Sequence, residues 1–171
     1  MGLFSSSKRL DSLDDLLVDH LKDLYDAEQR LTTALPKMAA AANNPALKAA
    51  FTDHLRETQG QVARLEQVFR ALGQTAKAEA CEAMQGLIAE GEEAIKAAGD
   101  PAVKDAALIA AAQRVEHYEM AGYGCARTFA HRLGRADAAR LLQQTLDEEG
   151  AADKKLTALA ESIVNPQAQT A

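Results

Sequence analysis

Tryptophan is absent from this 171-residue chain, and three Tyr and four Phe bring the aromatic content to only 4%. β-Branched residues are scarce beside abundant Ala and Leu, which argues against a β-rich fold. No apolar run approaches the ~18–20 residues needed to span a membrane, and the N-terminus lacks the apolar core of a signal peptide. The two cysteines, Cys81 and Cys125, are too few for a disulfide framework and point to a reducing, cytoplasmic setting. Positive charge is also short. Nineteen basic against 25 acidic residues give a net charge of −6, so sequence-independent nucleic-acid binding lacks its electrostatic driver. The opening Met1-Gly2-Leu3-Phe4-Ser5-Ser6 fits only the loose N-myristoylation pattern, too short a match to assign a lipid anchor. What remains, at 47% hydrophobic and 26% charged residues, is the composition of one globular domain long enough to bury its own core.

The few Gly and Pro residues fall where helices should begin and end. After a flexible N-terminus over residues 1–10, Ser12 with Asp15 three residues on resembles a capping box. Apolar residues then recur at Leu17, Leu21, Leu24, Leu31, Leu35, Met38 and Ala42, the seam of a bundle helix, with Pro36 expected to kink it. Asn43-Asn44-Pro45 stops this helix and starts the next, with Asn44 as N-cap and Pro45 in the first turn. The second helix carries Leu47, Phe51, Leu65, Val68 and Leu72 and closes at Gly73. Residues 74–99 have a weaker amphipathic pattern and suit a crossover with its own helix. Asp100-Pro101 repeats the cap-and-proline start of a third long helix that ends at Gly134. A fourth carries Leu142, Thr145, Ala152, Leu156, Leu159 and Ile163 and stops at Asn165-Pro166, leaving residues 166–171 as a flexible tail. Helix pair, long crossover, helix pair is the connectivity of a ferritin-like four-helix bundle over residues 11–165.

The informative residues are those that occupy seam positions without being apolar. The first seam holds Glu28, the third Glu119 and the fourth Glu149, while the second is broken over two turns by His54, Glu57, Thr58 and Gln61. Glu28 and Glu57 stand equidistant from the Asn43 turn, as Glu119 and Glu149 do from Gly134. Antiparallel pairing should therefore set each pair level, ~22 Å from its turn at 1.5 Å rise per residue. Whether both pairs share one height depends on how the hairpins dock.

Four ionised carboxylates in an apolar interior would cost several kcal/mol each without partners. No Lys or Arg occupies the seams at those heights; Arg56, Arg64 and Arg114 flank them and are expected to reach outward. Protonation, trapped water or metal cations remain. Two divalent cations balance four carboxylates, and oxygen ligands suit iron and manganese.

The strings Leu24-Tyr25-Asp26-Ala27-Glu28-Gln29-Arg30-Leu31, His54-Leu55-Arg56-Glu57-Thr58, Val115-Glu116-His117-Tyr118-Glu119 and Leu146-Asp147-Glu148-Glu149 with Asp153 resemble the bacterial YciE/YciF stress-protein family over residues 10–165. The resemblance implies a ferritin-like, rubrerythrin-related bundle, commonly a homodimer, linked to stress responses. One departure from the wider di-iron pattern stands out. Ferritin-like di-metal proteins carry Glu-x-x-His on two helices, yet the residue three after Glu57 is Gly60 and three after Glu149 is Ala152. His54, Gln61, Glu116 and Asp153, each one turn from a candidate carboxylate, are the available substitutes.

The expectation is thus a divalent metal pair, iron or manganese, held by Glu28, Glu57, Glu119 and Glu149 and completed by His54, Glu116 or Asp153. Redox chemistry with peroxide or oxygen would be open to it, with no substrate identifiable. The competing expectation is a non-catalytic dimeric helical protein whose acidic core is protonated or hydrated. Tyr25, Tyr118 and Tyr123 lie close enough in sequence to hydrogen-bond a ligand carboxylate, although packing is the simpler role. Cys81 and Cys125 read as buried small hydrophobes. Gly122 and Gly124 each cost about 1 kcal/mol inside a helix, which either close helix approach or room beside Tyr123 would justify.

Overall fold

A computed structural model describes residues 9–171. The flexible N-terminus expected over 1–10 and the acylation pattern therefore lie outside the described residues, Arg9 and Leu10 excepted. Four long helices, α1 (Leu13–Ala41), α2 (Pro45–Ala71), α4 (Pro101–Arg132) and α5 (Ala136–Leu159), form two antiparallel hairpins. The crossover between them carries α3 (Glu82–Lys96). Neighbours run α1–α2–α5–α4 and back to α1, while α3 lies outside against α1 and α4. This is the four-helix bundle with a helical crossover that the periodicity requires. Among the described residues no helix is long and apolar enough to cross a membrane.

Local chemistry sets the boundaries. Ser12 Oγ accepts from the Asp15 amide at 3.1 Å. Asn44 Oδ1 takes the amides of Ala46 and Leu47, and Asp100 those of Ala102 and Val103; each precedes a proline whose missing N–H costs nothing in a first turn. The two hairpin arms end alike. Gly73 (φ 68°) and Gly134 (φ 70°) adopt the left-handed conformation, and the following amides, Gln74 and Arg135, reach back to Phe69 and Ala130 at 2.9 Å. Both are Schellman closures, which glycine permits at no steric cost.

The stop expected at Asn165-Pro166 is not a stop. α5 passes through a π-helical turn (Ala160–Val164), in which the Asn165 amide bonds to Ala160 O, and continues as α6 (Asn165–Gln169) packed on α4. Pro166 lacks the amide a regular helix would need there; widening the turn lets the chain stay helical, so the tail expected from 166 is helical to Gln169.

The core is divided. One apolar cluster gathers Leu31, Leu35, Leu47, Phe51, Met84, Leu108 and Leu156, the other Leu17, Leu21, Leu24, Leu65, Phe69, Tyr123 and Leu142. Between them lies a belt of buried polar residues. A separate buried carboxylate, Asp105 of α4, accepts from the amides of Asn43 at 2.8 Å and Asn44 at 2.6 Å and from Asn43 Nδ2 at 3.3 Å, tying the α1–α2 turn to the second hairpin.

Candidate metal centre

The belt draws on all four bundle helices: Glu28 from α1, His54, Thr58 and Gln61 from α2, Glu116 and Glu119 from α4, and Thr145 and Glu149 from α5, all buried. His54, Glu116, Glu119 and Glu149 each present one ligand atom such that these atoms all lie within 4.8 Å of one another. The His54 Nε2 lies 3.4 Å from Glu116 Oε1 and 3.7 Å from Glu149 Oε2. Neither contact is a hydrogen bond, and His54 Nε2, Glu116 Oε2, Glu149 Oε2, Glu28 Oε2 and both Glu119 oxygens have no partner. Unpaired buried polar atoms are costly, and four of the residues that carry them, His54, Glu116, Glu119 and Glu149, form one tight group.

Burial, the largest influence, pushes the Glu28, Glu116, Glu119 and Glu149 carboxyls above their ordinary value, and neighbouring carboxylates raise the first three further. His54 and Gln61 temper this at Glu149, where the Gln61 amide donates to Oε1. Tyr123, fully buried, keeps its proton because burial and the charges of Glu28 and Glu119 disfavour the phenolate. Its hydroxyl donates to Glu28 Oε1 at 2.5 Å.

Glu57 does not turn inward as its height led us to expect. Its side chain is 48% exposed and meets the His54 Nδ1 at 3.1 Å. Height along a helix fixes level but not direction, and at 100° per residue Thr58 takes the inward place. Glu57 instead stands behind the histidine: its contact with Nδ1 leaves Nε2 facing Glu116 and Glu149, the orientation that a carboxylate imposes on metal-binding histidines. The His54 hydrogen bond holds Glu57's carboxyl below its ordinary range. Asp153 also stays apart, accepting from Gln113 Nε2 at 3.0 Å and facing His117 Nε2 at 3.2 Å. Glu28, Glu119, Glu149, Glu116 and His54 are brought together; Glu57 and Asp153 are not.

Other side chains also depart from expectation. Arg64 does not reach outward but forms a two-pronged pair with Glu148, both contacts 2.7 Å, and donates to Thr145 at 2.7 Å. Its place one turn after Gln61 on the same face was a signal that sequence reasoning passed over. Tyr25 and Tyr118 bond Glu66 and Asp23 rather than belt carboxylates. Cys81 is buried, caps α3 by accepting from the Met84 amide and touches the Tyr118 hydroxyl at 3.0 Å, whereas Cys125 is exposed. Gly122 proves a close-approach site, since a Cβ there would lie 2.8 Å from Leu24 Cδ2, while nothing lies within 4 Å of one at Gly124.

A cleft between α2 and α5, of about 90 Å³, leads from the surface to this group. Phe51, Ala152 and Leu156 make its apolar walls, His54 and Glu116 its inner end, and Glu57 and Lys155 share its lining with them.

Known proteins match this chain along most of its length. The sequence profile of the domain of unknown function DUF892 covers residues 12–169. Protein YciF of Escherichia coli K12 is 48% identical over 159 residues, 92% of this chain and 96% of YciF. The crystal structure of that E. coli stress protein superposes with a TM-score of 0.88 over 91% of this chain and 99% of its own. YcfI of Rhodopseudomonas palustris, 47% identical, gives 0.84 over 91% and 98%. A Xanthomonas campestris protein of 22% identity shares the fold, with a TM-score of 0.73 over 93% and 98%. The chain, with its belt of inward-facing acids between two apolar half-cores, belongs to the DUF892 family, the family of YciF.

Proposed function

We propose that this protein is a cytoplasmic, homodimeric stress-response protein that holds a divalent metal pair, iron or manganese, in the belt between its hairpins. The observation that carries the reading is the convergence of a histidine nitrogen and three glutamates within 4.8 Å, their facing lone pairs unsatisfied. Glu28 supplies a fourth buried carboxylate, and four such groups match the charge of two divalent cations. One nitrogen among oxygens suits iron or manganese. Redox-active ions in such a setting exchange electrons with peroxide or dioxygen. The chain's own contribution is to exclude bulk water with two apolar clusters and to orient His54 through Glu57.

A second reading draws on two hydrogen bonds, Tyr123 to Glu28 and Gln61 to Glu149, which satisfy part of the belt from within the chain: a non-catalytic dimeric stress protein whose acidic core is hydrated or protonated. Metal analysis of protein purified without chelator, repeated on Glu28→Ala/Glu149→Ala, separates the two. Two equivalents of metal per chain, lost in the double variant, are expected; metal-free parent protein that takes up none on addition of Mn²⁺ or Fe²⁺ decides for the second reading. Light scattering is expected to give a dimer, where a storage shell would give a far larger particle.

A further inference from the structure

The cleft between α2 and α5 joins solvent to the buried group through a short series of polar atoms. Glu57, half exposed, lies 3.1 Å from His54 Nδ1, and the far side of the same ring lies 3.4 Å from Glu116 Oε1. His54 and Glu116 are both more than nine-tenths buried, and each aims an unpartnered atom into the belt. The cleft's volume of about 90 Å³ admits several waters and so a partly hydrated ion. Its lining carries two opposed charges, Glu57 and Lys155. The Lys155 ammonium, half exposed, is drawn aside by Asp53, whose Oδ2 accepts from Nζ at 3.1 Å.

A divalent cation crossing into an apolar bundle faces a steep loss of hydration, which fixed negative charge along the way offsets and fixed positive charge worsens. We propose that this cleft is the route by which a divalent cation enters and leaves the buried group, with Glu57 as the outer carboxylate that takes it first and Lys155, restrained by Asp53, as the charge that sets its rate of passage. The inference rests on the metal-centre reading. It assigns work to three residues outside the group: Glu57 attracts, Lys155 repels, and Asp53 keeps Lys155 away from Glu57.

A route governs rates without governing affinity, because whatever slows passage inward slows passage outward equally. The full-length protein, stripped of metal, is mixed with Co²⁺ in a stopped-flow instrument; uptake is followed by its visible absorbance and release by adding excess chelator. Equilibrium titration gives stoichiometry and Kd separately. Glu57→Gln is expected to slow uptake about tenfold, the scale of local electrostatic steering, with Kd read separately because Glu57 also orients His54. Lys155→Met is expected to speed uptake, and Asp53→Asn to slow it by freeing Lys155 toward Glu57. Ala152→Leu, which obstructs the cleft without altering charge, is expected to slow uptake and release in equal proportion and leave Kd unchanged. Wild-type rates in Glu57→Gln and Ala152→Leu would overturn the route while leaving the metal centre standing, as would effects on Kd alone. Failure of the parent protein to bind Co²⁺ at equilibrium would overturn both.

Discussion

The two hairpins are close in arm length and end in the same glycine closure, yet they bring different chemistry to the interior. The second hairpin, α4–α5, contributes three carboxylates to the belt: Glu116, Glu119 and Glu149. The first, α1–α2, contributes a single one, Glu28, and otherwise an imidazole, a hydroxyl and an amide from His54, Thr58 and Gln61. Charge is thus concentrated on one half and neutral hydrogen-bonding capacity on the other. Neither hairpin is self-sufficient, since the unpartnered acids of α4–α5 find their nearest nitrogen on α2. The site exists only where the halves dock.

The most drastic way to break that asymmetry is to remove charge from the rich side. Glu119→Leu is expected to weaken Mn²⁺ binding by more than the ~10–100-fold typical of a supporting residue, measured by isothermal titration. In the metal-free protein the same change is expected to raise stability by about 1–3 kcal/mol, because it removes a buried carboxyl whose two oxygens have no hydrogen-bond partner among the described residues, read from urea unfolding. His54→Ala, on the neutral side, is expected to weaken binding without that gain.

Titration sharpens the same contrast. In the folded, metal-free chain, burial holds the carboxyls of Glu28, Glu116, Glu119 and Glu149 above the ordinary value of 4.5 at which the unfolded chain releases its protons. Stability is therefore full below that value and falls as pH rises above it, each retained proton contributing a slope of about 1.4 kcal/mol per pH unit. The melting temperature of metal-free protein is expected to drop between pH 5 and pH 8, and saturating Mn²⁺ to reverse the drop; at about 100 times Kd the cation adds ~2.7 kcal/mol.

Smaller effects probe the contacts between the halves. Tyr123→Phe takes the only hydrogen-bond donor from Glu28 Oε1 that the described residues provide, and is expected to destabilise the metal-free protein by about 1–3 kcal/mol, checked by denaturant unfolding. Smallest is a pair of glycines. Gly124→Ala meets open space and is expected to gain about 1 kcal/mol of helix propensity. Gly122→Ala must displace the buried Leu24 side chain and is expected to fall short of that gain.

The bundle was legible in the sequence because its turns are spelled in local chemistry, in Asn44-Pro45, Asp100-Pro101, Gly73 and Gly134, and because the seams are periodic. Glu28, Glu119 and Glu149 were legible as breaks in those seams. Glu57 was misplaced because equidistance from a turn specifies height alone; the second seam, followed in steps of three and four from Phe51, passes through His54, Thr58, Gln61 and Leu65. Glu116 and Tyr123 point inward because the seam of α4 drifts over its 32 residues, a drift that a fixed register starting at Leu108 does not follow. Asp105 and the Arg64–Glu148 pair depend on contacts between hairpins, which no single helix encodes.

The buried carboxylate of Asp105 has a consequence far from where it sits. By gripping two successive amides of the α1–α2 turn, it pins the longitudinal phase of one half-bundle against the other, as a clasp sets the alignment of everything hung from it. Sliding by half a helical turn, about 2.7 Å, would carry the imidazole on α2 past the acids it faces. A clasp at the end of the rods thereby keeps in step the groups that meet near their middle.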